Sequence, residues 1–104
     1  MIVPEIKKQP FEQFFLGAEF ANVIDTDVEA IVLGTATIVA VDSAGNPDTT
    51  VLDISSKAIE SLTILKVRVT AGTEALSPYK FTFKIITDQN NKWEKDITMI
   101  VEEL

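Results

Sequence analysis

The sequence predicts an all-β protein, a sandwich or barrel of about seven short strands. Three observations carry this prediction. Apolar and β-branched residues recur at every second position through most of the apolar segments, which is the period of a strand. Turn-forming residues punctuate the chain at intervals of about 8 to 12 residues, and no strongly periodic helix of ordinary length is present. The C-terminal third is the clearest case. Residues 79–88 and 93–102 alternate on either side of Gln89-Asn90-Asn91 and read as a β-hairpin. Tyr79, Phe81, Phe83 and Ile85 share one face of the first strand, and Trp93, Ile97, Met99 and Val101 one face of the second.

The remaining elements follow in chain order. Residues 3–8 form an edge strand or a looser arm spanning residues 1–10, because Pro4 and Pro10 both lack a ladder donor. Residues 12–20 place Phe14, Leu16, Ala18 and Phe20 on one face and Phe15, Gly17 and Glu19 on the other. A helix over residues 11–20 is the rival, but Gly17 weakens a helix interior and the segments that follow are β-like. Residues 21–29, with Asp25, Asp27 and Glu29, read as a polar connection or a short acidic strand. Residues 35–42 form a strand rich in Thr, Val and Ile, and residues 42–48 a turn in which Gly45 supplies positive φ and Pro47 stops the ladder. Residues 51–54, 58–59 and 62–70 supply further strands, the last with Leu65, Val67 and Val69 opposite Lys66, Arg68 and Thr70.

Composition narrows the function. At 104 residues the chain is long enough for one core and too short for two ordinary domains, so residues 1–104 are taken as a single domain. The formal charge is -7. Residues 1–50 carry two lysines against eight carboxylates, whereas residues 51–104 are nearly balanced. Such a balance argues against a nucleic-acid partner, which needs clustered Lys and Arg. The absence of His and Cys removes the commonest general base, thiolate ligands and disulfides. No stretch resembles a secretory signal or a membrane span, so no membrane association is expected.

The chemistry-bearing patterns resolve into bland readings. Ser77-Pro78-Tyr79-Lys80 matches Ser-x-x-Lys, but a strand sends Ser77 and Lys80 to opposite sides. Asp42, Asn46 and Asp48, with Asp53 nearby, could offer oxygen ligands to Ca²⁺, yet they lack the order of an EF-hand loop and suit Asx turns. Asp25, Asp27 and Glu29 could gather on one strand face, where a solvated surface is the simpler account than a glycosidase pair. Trp93 is expected in the core, with Lys95 laying its stem on apolar surface. Phe11, Phe14 and Phe15 are the candidate protein-contact residues, because a strand sends Phe14 one way and Phe11 and Phe15 the other, leaving aromatic surface exposed. No catalytic residue, cofactor or metal site is assigned, and the chain is expected not to be an enzyme.

The run from Val67 through Ala71-Gly72-Thr73-Glu74, Tyr79-Lys80-Phe81-Thr82-Phe83 and Thr87, continuing to Trp93-Glu94-Lys95-Asp96-Ile97, resembles small bacteriophage structural proteins of the fiber-tail adaptor type. The Phe-rich start, the Asp-rich connection, the β-branched strand and Asp42-x-x-Gly45-Asn46 are similar to the same family. The resemblance implies an immunoglobulin-like antiparallel β-sandwich that works by contact. It also implies a phage or prophage virion protein of the tail or head-tail region, with other virion proteins and a homo-oligomer as partners. Such a protein is made in the bacterial cytoplasm and then built into the virion. A chain running from Met1 to Leu104 fits that expectation. The alternative is an Ig-like or fibronectin-like adhesion or spacer module of a bacterial cell-surface or carbohydrate-active protein.

Overall fold

A computed structural model describes residues 4–103. Among the described residues the strands are β1 (Glu5–Lys8), β2 (Phe14–Glu19), β3 (Thr37–Val41), β4 (Leu52–Glu60), β5 (Ile64–Val69), β6 (Tyr79–Ile86) and β7 (Lys92–Val101), and alternation is clearest in β3, β5 and β6. They make two sheets, one ordered β1-β7-β6-β3 and the other β2-β5-β4. The chain is therefore a sandwich and not a barrel, with consecutive strands distributed between sheets in the immunoglobulin manner.

The β6–β7 hairpin is the centre of the larger sheet, with Tyr79 opposite Met99, Phe81 opposite Ile97 and Ile85 opposite Trp93. Its turn closes through Asn90, whose positive φ of 63° suits Asn, and through the Thr87 N–H, which donates to Asn91 O at 2.9 Å. Tyr79, Phe81, Phe83, Ile85, Ile97, Met99 and Val101 are buried against Ala18, Phe20, Leu65, Val67 and Val69 of the facing sheet. Each large apolar side chain so buried contributes about 1.5–3 kcal/mol before chain entropy is set against it.

The start of β6 carries a corner lock. The Tyr79 hydroxyl accepts the Thr73 N–H at 3.1 Å, joining the strand to the chain upstream of it. This is the tyrosine corner of immunoglobulin-type sandwiches. Gly72 beside it takes a φ of 135°, and a Cβ there would lie 3.1 Å from Val101 Cγ2 and 3.6 Å from the Tyr79 ring.

Three expectations are corrected and one pair of alternatives is decided. Part of the N-terminal arm is not loose: β1 pairs with β7, parallel where every other strand pair is antiparallel. The Thr98 N–H donates to Pro4 O at 2.8 Å and the Glu102 N–H to Lys8 O at 3.0 Å. Residues 1–3, the rest of that arm, lie outside the described residues. Lys8 faces inward and is 1% exposed, its Nζ donating to Gln9 O and Pro10 O at 2.8 and 2.9 Å. Burial pulls its pKa down, and the Glu12 carboxylate opposes that pull in part.

The segments at 51–54 and 58–59 are one strand, β4, interrupted by a bulge between Asp53 and Ala58. There the Arg68 N–H donates to Ser56 Oγ at 2.8 Å, so a side chain stands in for the missing ladder carbonyl. The next strand begins at Ile64 and not at residue 62, because Ser61 and Leu62 take positive φ and turn the chain. Of the two readings of residues 21–29, the polar connection is the one found: the segment is built of turns and forms no strand. Val23 and Ile24 donate to Phe20 O, and Val28 and Glu29 donate to Asp25 O.

A candidate contact face on the second sheet

The candidate face is built on β2. Its alternation turns Phe14, Leu16 and Ala18 inward and Phe15, Gly17 and Glu19 outward. Phe15 is 51% exposed, and its ring lies between two cations of β5, with Lys66 Nζ 5.1 Å and Arg68 Cζ 5.4 Å from the centroid. Exposed cation–π contacts of this kind are worth about 0.5–1 kcal/mol each. They hold the ring at the surface between two positive groups, in a chain whose overall charge is -7. Lys66 also meets Glu60 at 3.8 Å. Arg68 makes no ion pair among the described residues.

Gly17 completes the face by what it lacks. A Cβ there would meet Ile64 Cγ2 at 2.6 Å, so glycine lets the Ile64 side chain lie across the strand. Glu19 is held below the usual carboxylate range, chiefly by the Thr63 side chain and then by the Ala21 and Phe20 N–H groups. Phe11 precedes β2 in a turn closed by the Glu12 N–H to Gln9 O and by the Gln9 N–H to Glu12 Oε1, and its ring is 95% exposed.

Of the three sequence-predicted contact residues, Phe11 and Phe15 lie at the surface. Phe14 does not belong with them: it faces inward and packs, half-buried, against the core. The flanking Lys66 and Arg68 were visible as outward residues of their own strand, but only the β2–β5 register, with Phe15 opposite Arg68, brings them to the ring.

The other patterns come apart. Ser77 Oγ accepts the Val101 N–H at 2.8 Å while Lys80 lies 3.7 Å from Asp96, so no Ser–Lys pair forms. Asp42 Oδ1 accepts the N–H groups of Ala44 and Asn46, and Asp48 Oδ1 those of Thr50 and its hydroxyl, which lowers the Asp48 pKa. Asp53 Oδ1 likewise serves Ser55. These are Asx turns. Asp25 accepts the Asp27 N–H, whereas Glu29 is buried and accepts from the Thr87 hydroxyl at 2.7 Å and the Asn91 amide at 2.9 Å. Glu29 thus ties the 21–29 connection to the hairpin turn instead of joining a carboxylate cluster.

Trp93 corrects a further expectation. It shares the inward side with Ile97 and Met99 but is 37% exposed. The residue borders an open groove of about 380 Å³ together with Thr35, Thr37, Lys84, Lys92 and Glu94. Lys95, the next residue on that side, sets its amine 5.7 Å over the Phe20 ring.

No family model matches the chain. No curated protein matches it in sequence. Among solved structures it is similar to the ZIG-8–RIG-5 IG1–IG1 heterodimer, with a TM-score of 0.56 and 9% identity over 98% of this chain and 84% of that one. CopC from Methylosinus trichosporium OB3b gives 0.53 at 13% identity, over 98% and 87% of the two chains. Dpr1 IG1 bound to DIP-eta IG1 gives 0.50 at 11%, over 96% and 89%. At these identities the likeness is one of fold, and the fold is an immunoglobulin-like sandwich.

Proposed function

We propose that this protein is a non-enzymatic contact module, and more narrowly a structural or adaptor protein of a phage or prophage virion, acting in the tail or head-tail region. The observation that carries the contact reading is the pair of exposed rings, Phe11 and Phe15, the second held between Lys66 and Arg68. Exposed aromatic surface on a small domain marks a partner site, and aromatic and Arg side chains are the usual anchors of such sites. The virion reading draws on the resemblance at residues 67–97 and on an immunoglobulin-like scaffold with open sheet edges. On this reading the protein is made in the bacterial cytoplasm, and its partners are other virion proteins. Genes for portal, capsid or tail proteins beside its own, and its presence in purified particles by mass spectrometry, are the expected results. The Phe11→Ser/Phe15→Ser double variant is expected to fold and fail to incorporate. Particles that assemble fully and infect without the protein would sink the reading.

The half-exposed Trp93 favours one second reading, an adhesion or spacer module of a bacterial surface or carbohydrate-active protein. Its structural neighbours include IG1 domains crystallised as a heterodimer and in complex. A gene encoding tandem copies behind a secretory signal would select it over the virion reading.

A further inference from the structure

A sandwich of two open sheets has four edge strands, and three of these are blunted. β1 is four residues long, contains Lys7 and Lys8, and is bracketed by Pro4 and Pro10. β3 is covered by its own loop, the Asp48 N–H donating to Ala40 O at 2.9 Å and Pro47 bridging Val41. β4 is broken by its bulge, and Lys57 reaches across from it to Ala36 O. Proline, lysine, bulges and covering loops are the devices by which sheets avoid pairing with strangers. β2 has none of them.

The direction of its free groups follows from one hydrogen bond. The Phe20 N–H donates to Thr63 O at 2.9 Å, so in an antiparallel ladder the N–H and C=O of Phe14, Leu16 and Ala18 also turn to β5. Those of Phe15, Gly17 and Glu19 turn to the open edge, where no backbone partner meets them among the described residues. The inward side of this edge is also unfinished. Phe14 and Leu16 are only half-buried, although Val69 and Val67 opposite them are fully buried.

We propose that this edge is completed by a second copy of the chain, β2 against β2, antiparallel about a two-fold axis at Gly17. This rests on the contact reading above and names the partner. The register is set by self-complementarity. With Gly17 opposite Gly17, Phe15 of each copy faces Glu19 of the other, so each free-edge residue meets another free-edge residue and exchanges two backbone hydrogen bonds with it. The Glu19 side chain then lies beside the Phe15 ring and the unpaired Arg68, an acidic group against a cationic one. Inward, Leu16 of each copy meets the small Ala18 of the other, which covers the half-buried leucine. At the axis Gly17 presents no side chain to its twin. The two three-stranded sheets become one continuous sheet.

The test is amide exchange by NMR on the full chain at low and high concentration, alongside sedimentation equilibrium. The amides of Phe15, Gly17 and Glu19 are expected to gain about tenfold or more protection as the dimer forms, while those of Leu16 and Ala18 stay protected throughout. Phe15→Pro removes an outward N–H at an edge position where proline is tolerated. It should weaken association about tenfold or more, while the monomer's melting temperature falls no further than in Phe15→Ser, which loses the same two cation–π contacts. Phe15→Ser, which keeps the N–H, should weaken it less. A strict monomer at millimolar concentration, or a dimer in which those three amides exchange as before, overturns the proposal. A strict monomer that still incorporates into particles through Phe11 and Phe15 overturns the self-pairing alone and leaves the contact function standing.

Discussion

At Gly72 the backbone φ of 135° is one that side-chain-bearing residues rarely adopt, and the space a Cβ needs is already taken by Val101 Cγ2 at 3.1 Å and Met99 Cε at 3.3 Å. Both neighbours are core residues of β7, so neither has open solvent to retreat into. Gly72→Ala therefore combines backbone strain with overpacking, and is expected to cost about 2 kcal/mol or more. Gly34 is the internal control. Nothing lies within 4 Å of the Cβ it would gain, and its φ is not in the left-handed region. Gly34→Ala is expected to be neutral or stabilising by up to about 1 kcal/mol, through the unfolded chain. Urea titrations of both variants decide the point, and equal midpoints would remove the argument that Gly72 is fixed by its corner. The same corner holds Tyr79, whose hydroxyl takes the Thr73 N–H, so the two residues act on one turn from its two sides.

At the scale of elements, β1 owes its place to backbone bonds with β7 rather than to a strong pattern of its own. Deleting residues 1–8 removes the acceptors of the Thr98 and Glu102 amides and uncovers Met99 and Val101, the partners of Ile6 and Lys8. The Thr98 and Glu102 amides are then expected to lose their exchange protection while the β6-facing amides of β7 keep theirs, and stability should fall by about 2 kcal/mol. Unchanged protection at Thr98 would show that β1 contributes no ladder. This strand also marks where the sequence stops being legible. The prolines on either side announce an edge, but nothing local tells whether the strand lies parallel or antiparallel, or which strand it joins. The β6–β7 hairpin, β3 and β5 were readable because local alternation and the facing sheet agree there. β4 read as two strands because the bulge at Asp53 to Ala58 breaks the two-residue period. Trp93 was misplaced for a related reason: alternation gives the side a residue faces, and says nothing of how far along the strand the core reaches. The tyrosine corner had a usable signal in Tyr79 opening a strand seven residues after Gly72. The contact face was half legible, since outward Phe15 follows from period while its cations follow only from register.

For the whole molecule, the pairings differ greatly in how much chain they must close. β6 and β7 meet across a short turn, as do β4 and β5 across residues 61–63, whereas Glu5 pairs with Thr98 at the far end of the sequence. Loop-closure entropy grows with the logarithm of the enclosed length, so the local hairpins are the less costly nuclei and β1 docking is the contact with most entropy to overcome. The two hairpins lie in different sheets and meet through Phe81, Phe83, Leu65 and Val67 in the core. The folding transition state is therefore expected to contain both hairpins in partial contact, with β1 still free. Phe83→Leu should slow folding, with a φ-value of about 0.5 or above. Ile6→Ala should act almost wholly on the unfolding rate, with a φ-value near zero, because Ile6 gains its contacts only when β1 docks. Stopped-flow chevrons of the two variants measure both numbers. A high value at Ile6 would mean that the parallel pairing of the chain ends forms in the nucleus, and the ordering by loop length would be wrong. If the ordering holds, β7 completes its sheet late, and a partner meeting the chain during folding finds two open edges, that of β7 as well as that of β2. Late docking of β1 then closes the first, and the β2 edge is the one left for partners of the finished domain.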